Sequence, residues 1–310
     1  MNNVNTNTTF NLLNDSIMFK QSICSYAINL LRLHEYQQCI DLINTWSMRA
    51  EEYNAYDARI RAKAILGMIY TMQHNAIQAE RMYEDMYTIA HENMLSDKTL
   101  VEADSYVLLG LLYKYVHKNE TKANKYWTKA VKLYESYPTL VVPLDAGGVQ
   151  LPIVYSLLYL NTEDTVKYAL DISEKYLGVT HWLSIDCIRV LAGLYRNTDP
   201  LTAEGLYRTA LNRIDNPAPY VQQAEYWYVL SDVIVDYCDL LQHMKWNNKP
   251  RTAEANKLME RLYTLQKQHP HIKPTVRHVN QPALNSEESF ELQVNTEPFI
   301  PSWFYERFTA

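Results

Sequence analysis

"SIDCIRVLAGLYRNTDPLTAEGLYRTALNRIDNP", residues 184–217, sets Leu191, Ala192 and Tyr195 ahead of a turn and Ala203, Tyr207 and Ala210 after it. Small residues let two helices cross closely, and rings fill the space between them. The same order returns in "RAKAILGMIYTMQHNAIQAERMYEDMY" (61–87), with Leu66, Gly67 and Tyr70, then Ala79 and Tyr83. It returns again in "YVLLGLLYKYVHKNETKANKYWTKAVKLYESYP" (106–138), with Tyr106, Leu109, Gly110 and Tyr113, then Ala123, Trp127, Ala130 and Pro138. A weaker fourth copy, 23–46, carries Ala27, Leu30, Cys39, Ile43 and Trp46. Internal repetition of this kind is the signature of stacked helix pairs.

Two further pairs are degenerate: one offers Ser156, Tyr159 and Ala169, the other Trp227, Ser231 and Ala253. The turns "HNA", "HKNE" and "NTDP" separate the halves of the clearer copies, and Pro138, Pro217 and Pro270 punctuate the ends of second helices. The reading predicts an all-α helix-turn-helix solenoid of about six pairs, near 20–50, 57–91, 100–137, 151–176, 182–215 and 219–268. A polar extension over 1–19 precedes the repeat domain of 20–269. A non-repeat tail of 270–310 with an aromatic end follows, and the segment 138–152 interrupts the array as a hinge or protruding contact.

Composition narrows the function classes. Among 310 residues, 47% are hydrophobic, enough for a substantial core, and only seven are glycine against 25 tyrosines, which disfavours glycine-rich nucleotide folds. A formal charge of -6 argues against general nucleic-acid binding, which needs clustered Lys and Arg. Cys24, Cys39, Cys187 and Cys238 form no CxxC pair and read as reduced core residues. No window reaches the roughly 18 unbroken apolar residues of a spanning helix, and the start of the chain lacks a basic and apolar leader. A soluble cytoplasmic protein is expected.

No glycine spacing forms a phosphate-cradling loop, and HExxH and GxSxG are absent. Cys238, His243 and Asp239 invite a metal hypothesis, but a five-residue spacing does not bring Cys238 and His243 to one helical face. The expectation is a protein without catalysis, cofactor or metal.

The repeat pattern resembles the tetratricopeptide repeat, a helix-turn-helix unit of about 34 residues marked by Trp, Leu-Gly, Tyr, Ala, Phe, Ala and Pro. Residues 177–211 are similar to the longer kinesin light chain type, with Leu177, Gly178 and His181 in its Leu-Gly-x-x-His linker, although Trp182 and a shortened turn depart from it. The resemblance covers about residues 20–269 and implies a right-handed superhelix whose first helices line a concave groove. It places Arg61, Ala64, Met68 and Met72 there, then Val107, Leu111 and Tyr115, then Arg189, Arg196 and Asn197. The early groove is apolar with Met and the later one basic, so the implied partner is a protein segment with acidic residues around an apolar anchor.

Alternatively, Arg189 and Arg196 pair with acidic residues of neighbouring helices. The asparagine of the chaperone-tail clamp reads Ile28, Met68, Leu111 and Gly193, which disfavours that ligand. The leading function is an adaptor or scaffold of a protein complex. One rival is an organelle-associated assembly factor, mitochondrial or peripheral on a membrane, docked through its aromatic end. Another is a helical-array enzyme or ligand-binding protein. Phe299, Trp303, Phe304, Tyr305 and Phe308 form that end, and either cap the last helices, dock on a partner or meet a membrane interface.

Overall fold

A computed structural model of the chain describes residues 33–136, 150–215, 224–243, 245–246, 249–268, 276–278 and 292–294, with residues 23, 26, 27, 30 and 31 before them. Eleven helices run through the described residues. They are α1 (Tyr36–Glu52), α2 (Tyr56–Met72), α3 (Ala76–Glu92), α4 (Lys98–Tyr115), α5 (Glu120–Ser136), α6 (Gln150–Leu160), α7 (Glu163–Tyr176), α8 (Trp182–Tyr195), α9 (Pro200–Asp215), α10 (Ala224–His243) and α11 (Thr252–Gln268). With the helical residues before position 33, these make the six expected pairs. Two short antiparallel ladders, which the periodicity does not predict, pair β1 (Lys245–Trp246) with β2 (Lys249–Pro250) and β3 (Val276–His278) with β4 (Leu292–Val294).

The chain divides into two compact units, residues 1–152 with 297–310 in one and 153–296 in the other. The boundary falls at the end of the interrupting segment 138–152, so the repeat region read as one domain over 20–269 is split there.

In the first unit α1, α2 and α3 are each 17 residues long and start at positions 36, 56 and 76. The turns keep the same 20-residue step: His34, Asn54, His74 and Met94 all sit at positive φ, between 49° and 61°. At each, the following N–H bonds back to a carbonyl five residues earlier: Glu35 to Leu30, Ala55 to Ala50, Asn75 to Tyr70 and Leu95 to Ala90, at 2.8 to 3.1 Å. This is the Schellman way of ending a helix, which usually employs glycine. The links within pairs and between pairs are therefore alike here, and the local step is nearer 40 residues per pair than the 34 of the resembled repeat.

Second helices start on the polar residues of the predicted turns. Asn119 Oδ1 accepts from Lys122 N at 3.0 Å and Asp199 Oδ1 from Thr202 N at 3.2 Å, satisfying first-turn N–H groups. Thr162 and Thr165 form a reciprocal capping box at α7.

The core is the set of small and aromatic residues that repeat in the sequence. Tyr83, Trp127 and Tyr207 are fully enclosed, as are Ala79, Ala123, Ala192, Ala203 and Ala210. Thr71 and Tyr83 hydroxyls bond at 2.9 Å, and Trp127 Nε1 donates to Val107 O at 3.3 Å, so the ring polar atoms are not stranded. Tyr113 is buried, whereas Tyr70 and Tyr195 are half-exposed. In α11 the close-packing residue is Ala255, not Ala253, which faces outward; Cys238 Sγ lies 3.4 Å from Ala255 O. Cys39, Cys187 and Cys238 are buried free thiols, and burial pushes Cys39 up to about 12.

Candidate partner-binding site

Helix α8 is amphipathic in a way that leaves one strip accessible. Its buried residues, Leu183, Ile185, Cys187, Ile188, Leu191 and Ala192 among them, pack inward. Asp186 and Arg189 are half-buried, while Gly193 and Asn197 are exposed. Steps of three and four residues keep these positions on one side of the helix. Helix α10 packs against α8 and presents Asp232, Asp236 and Asp239 at the same kind of spacing, all half-buried.

Ion pairs knit the two strips together. Arg189 Nε lies 2.7 Å from Asp186 Oδ1, and its Nη1 lies 2.8 Å from Asp236 Oδ2. Arg196 pairs with Asp239, which also meets His243 Nδ1 at 3.2 Å. Burial opposes the Arg189 charge, but Asp186, Asp236 and Asp232 outweigh it and hold the guanidinium protonated well above the ordinary arginine value. Three carboxylates, Asp186, Asp236 and Asp239, thus share two guanidiniums on this strip, and Asp232 adds to the field around Arg189.

The expectation of a basic later groove is thereby corrected: Arg189 and Arg196 are already neutralised by neighbouring helices, as the alternative reading had it. A preference for acidic segments loses its basis at this strip.

The early groove is corrected as well. Ala64, Met68, Val107 and Leu111 are fully buried, and the strip they form on α2 and α4 is closed. Only Arg61, Met72 and Tyr115 of that set are half-exposed, and Arg61 bonds Asp57 at 3.1 Å. The aromatic end, Phe299, Trp303, Phe304, Tyr305 and Phe308, lies outside the described residues.

A second polar cluster beside the strip has no counterpart in the sequence reading. Glu204, buried on α9, accepts from Arg208 at 2.7 Å and from Arg251 at 2.8 Å. Arg208 Nε donates to Tyr237 Oη at 3.0 Å, and Glu254 pairs with Arg251. The Glu204 and Arg208 pair, four apart, and the Arg251 and Glu254 pair, three apart, leave local signals, but that they meet each other and Tyr237 of α10 does not.

Cys238 and His243 do not converge, since the thiol faces α11 and the imidazole points outward. Among the described residues no group of three or more His, Cys, Asp or Glu could hold a metal ion, and no helix is long and apolar enough to cross a membrane.

The Leu-Gly-x-x-His linker has a structural meaning. Leu177 ends α7, Gly178 takes φ 98°, and His181 starts α8 by accepting from Leu183 N at 3.2 Å. Burial pushes His181 down to about 4, which keeps the imidazole in the neutral, accepting form at neutral pH.

No protein-family model matches the chain, and no curated protein matches its sequence. Among solved structures, BtubC (BKLC) from P. vanneervenii is similar, with a TM-score of 0.59 at 14% identity over 82% of this chain and 99% of that one. The likeness shows the fold: a helical repeat array of the tetratricopeptide kind.

Proposed function

We propose that the chain is a protein-binding scaffold of a multiprotein complex, without catalysis of its own, and that the α8 and α10 strip takes a partner segment. The observation that supports this most is the half-open mosaic of Asp186, Arg189, Asp236, Arg196 and Asp239 on two adjacent first helices. Repeat arrays use this side of first helices for extended segments. Three paired carboxylates, Asp186, Asp236 and Asp239, share two guanidiniums, and this acidic excess favours a segment carrying Lys or Arg, in place of the acidic partner expected from sequence. A cytoplasmic setting goes with this reading.

Peptide-library selection on the immobilised full chain tests it. Basic segments should be enriched, and enrichment should fall in Asp232→Lys and Asp239→Lys chains and at raised salt. Selection of acidic segments, or of none, would overturn the proposal.

A further inference from the structure

Six consecutive residues of α2, 64–69, are buried, and so are seven of α4, 107–113. Successive helical residues are separated by about 100°, so either run passes right round its helix. No side of either segment is open. Among the described helices α2 packs chiefly on α1 and α3, and α4 on α3 and α5, with only a small contact between α2 and α4 themselves. In α8 the corresponding positions, Asp186, Arg189 and Gly193, remain half-open or exposed. The strip closed in the first unit is thus the one left open in the second. Arg61, Asp104 and Tyr115, on the same strips, have further interaction partners beyond those described above.

We infer that residues 297–310 of this chain occupy the strip of α2 and α4, as an intramolecular ligand. The compact unit formed by residues 1–152 takes in 297–310 as well. Within it, "EPFIPSWFYERFTA" supplies five rings and Ile300, the chemistry that an apolar strip of Ala64, Met68, Val107 and Leu111 accepts. Methionine suits such a contact because its flexible thioether packs well against rings. Glu297, Glu306 and Arg307 offer charges opposite to Arg61 and Asp104. The two prolines favour an extended segment, the form that lies along a helix strip. An outside segment reaches this strip only by displacing residues 297–310.

The test uses the full chain with Phe304→p-benzoylphenylalanine. On irradiation the monomer should carry crosslinks within 61–72 or 104–115. Crosslinks within 1–22, 137–149 or 153–268, crosslinks only between molecules, or none, would overturn the inference. Peroxide footprinting of a Trp303→Asp, Phe304→Asp chain is the second measurement. Met68 should oxidise at least fivefold faster while Met86 and Met259, both buried elsewhere, stay protected. Unchanged Met68 overturns the inference; a rise shared by all three reports unfolding, and the crosslink then decides alone. Neither measurement involves the α8 and α10 strip, so failure here leaves the peptide-selection result independent.

Discussion

Gly110 lies so close beneath Trp127 that a β-carbon placed on it would come within 2.1 Å of the indole Nε1. Gly67 stands in the same relation to Tyr83, at 2.3 Å from the ring. Both are places where a helix pair closes over a missing side chain. Gly110→Ala and Gly67→Ala should each destabilise by roughly 1 to 3 kcal/mol through overpacking. Gly193, helical and with nothing within 4 Å of an added methyl, should gain about 0.5 to 1 kcal/mol as Ala. Denaturant midpoints of the three variants check both signs, and a tolerated Gly110→Ala would show that the indole can move aside.

Met94 is 83% exposed at φ 49°, so its side chain contributes little packing while its backbone sits in the left-handed region. Met94→Gly should stabilise by about 1 kcal/mol and Met94→Val should destabilise. Thermal melts of both variants against the parent measure the difference.

His181 gives the fold a pH dependence of definite sign. Its folded pKa is depressed to about 4, against roughly 6.5 unfolded, so the unfolded chain binds the extra proton between these values. The stabilisation is fully present above pH 6.5 and is lost as pH falls towards 4, on the order of 3 kcal/mol. His181→Asn, which can still accept from Leu183 N, should flatten the stability profile across that window. Denaturant unfolding at a series of pH values from 4 to 7.5 reads it.

Arg189 and Asp236 are half-buried partners from helices 47 residues apart in sequence. Replacing either alone, as Arg189→Met or Asp236→Leu, should cost roughly 1 to 3 kcal/mol because the other charge stays behind. The double replacement should cost less than the sum. A double-mutant cycle in denaturant gives the coupling, and strict additivity would mean that the pair contributes nothing.

How much of this was legible follows from how local each feature is. Gly110 and Trp127 are 17 residues apart on consecutive helices, so a repeated offset announces their contact. The linker of Leu177, Gly178 and His181 is legible for the same reason, as are Asn119 and Asp199 at helix starts. The left-handed turns at His34, Asn54, His74 and Met94 are not, because the glycine that usually marks such a turn is absent from all four. The fate of Arg189 and Arg196 is set by Asp236 and Asp239 on another helix, and charge on one helix cannot reveal its neighbour's. Closure of Met68 and Leu111 is likewise invisible locally, since an apolar residue facing a groove and one facing a core read alike.

Because the strongest packing in the first unit joins helices that follow one another, each helix finds its partner soon after synthesis. The exception is the far side of α2 and α4. With 297–310 as its cover, that strip waits while residues 116–310 are made, on the order of 10 to 40 seconds at ordinary translation rates. The nascent chain carries an uncovered band of Ala64, Met68, Val107 and Leu111 throughout, and a chain stalled before residue 297 would carry it permanently. Termination before residue 297 should therefore yield a protein with the described helices formed and a marked tendency to self-associate.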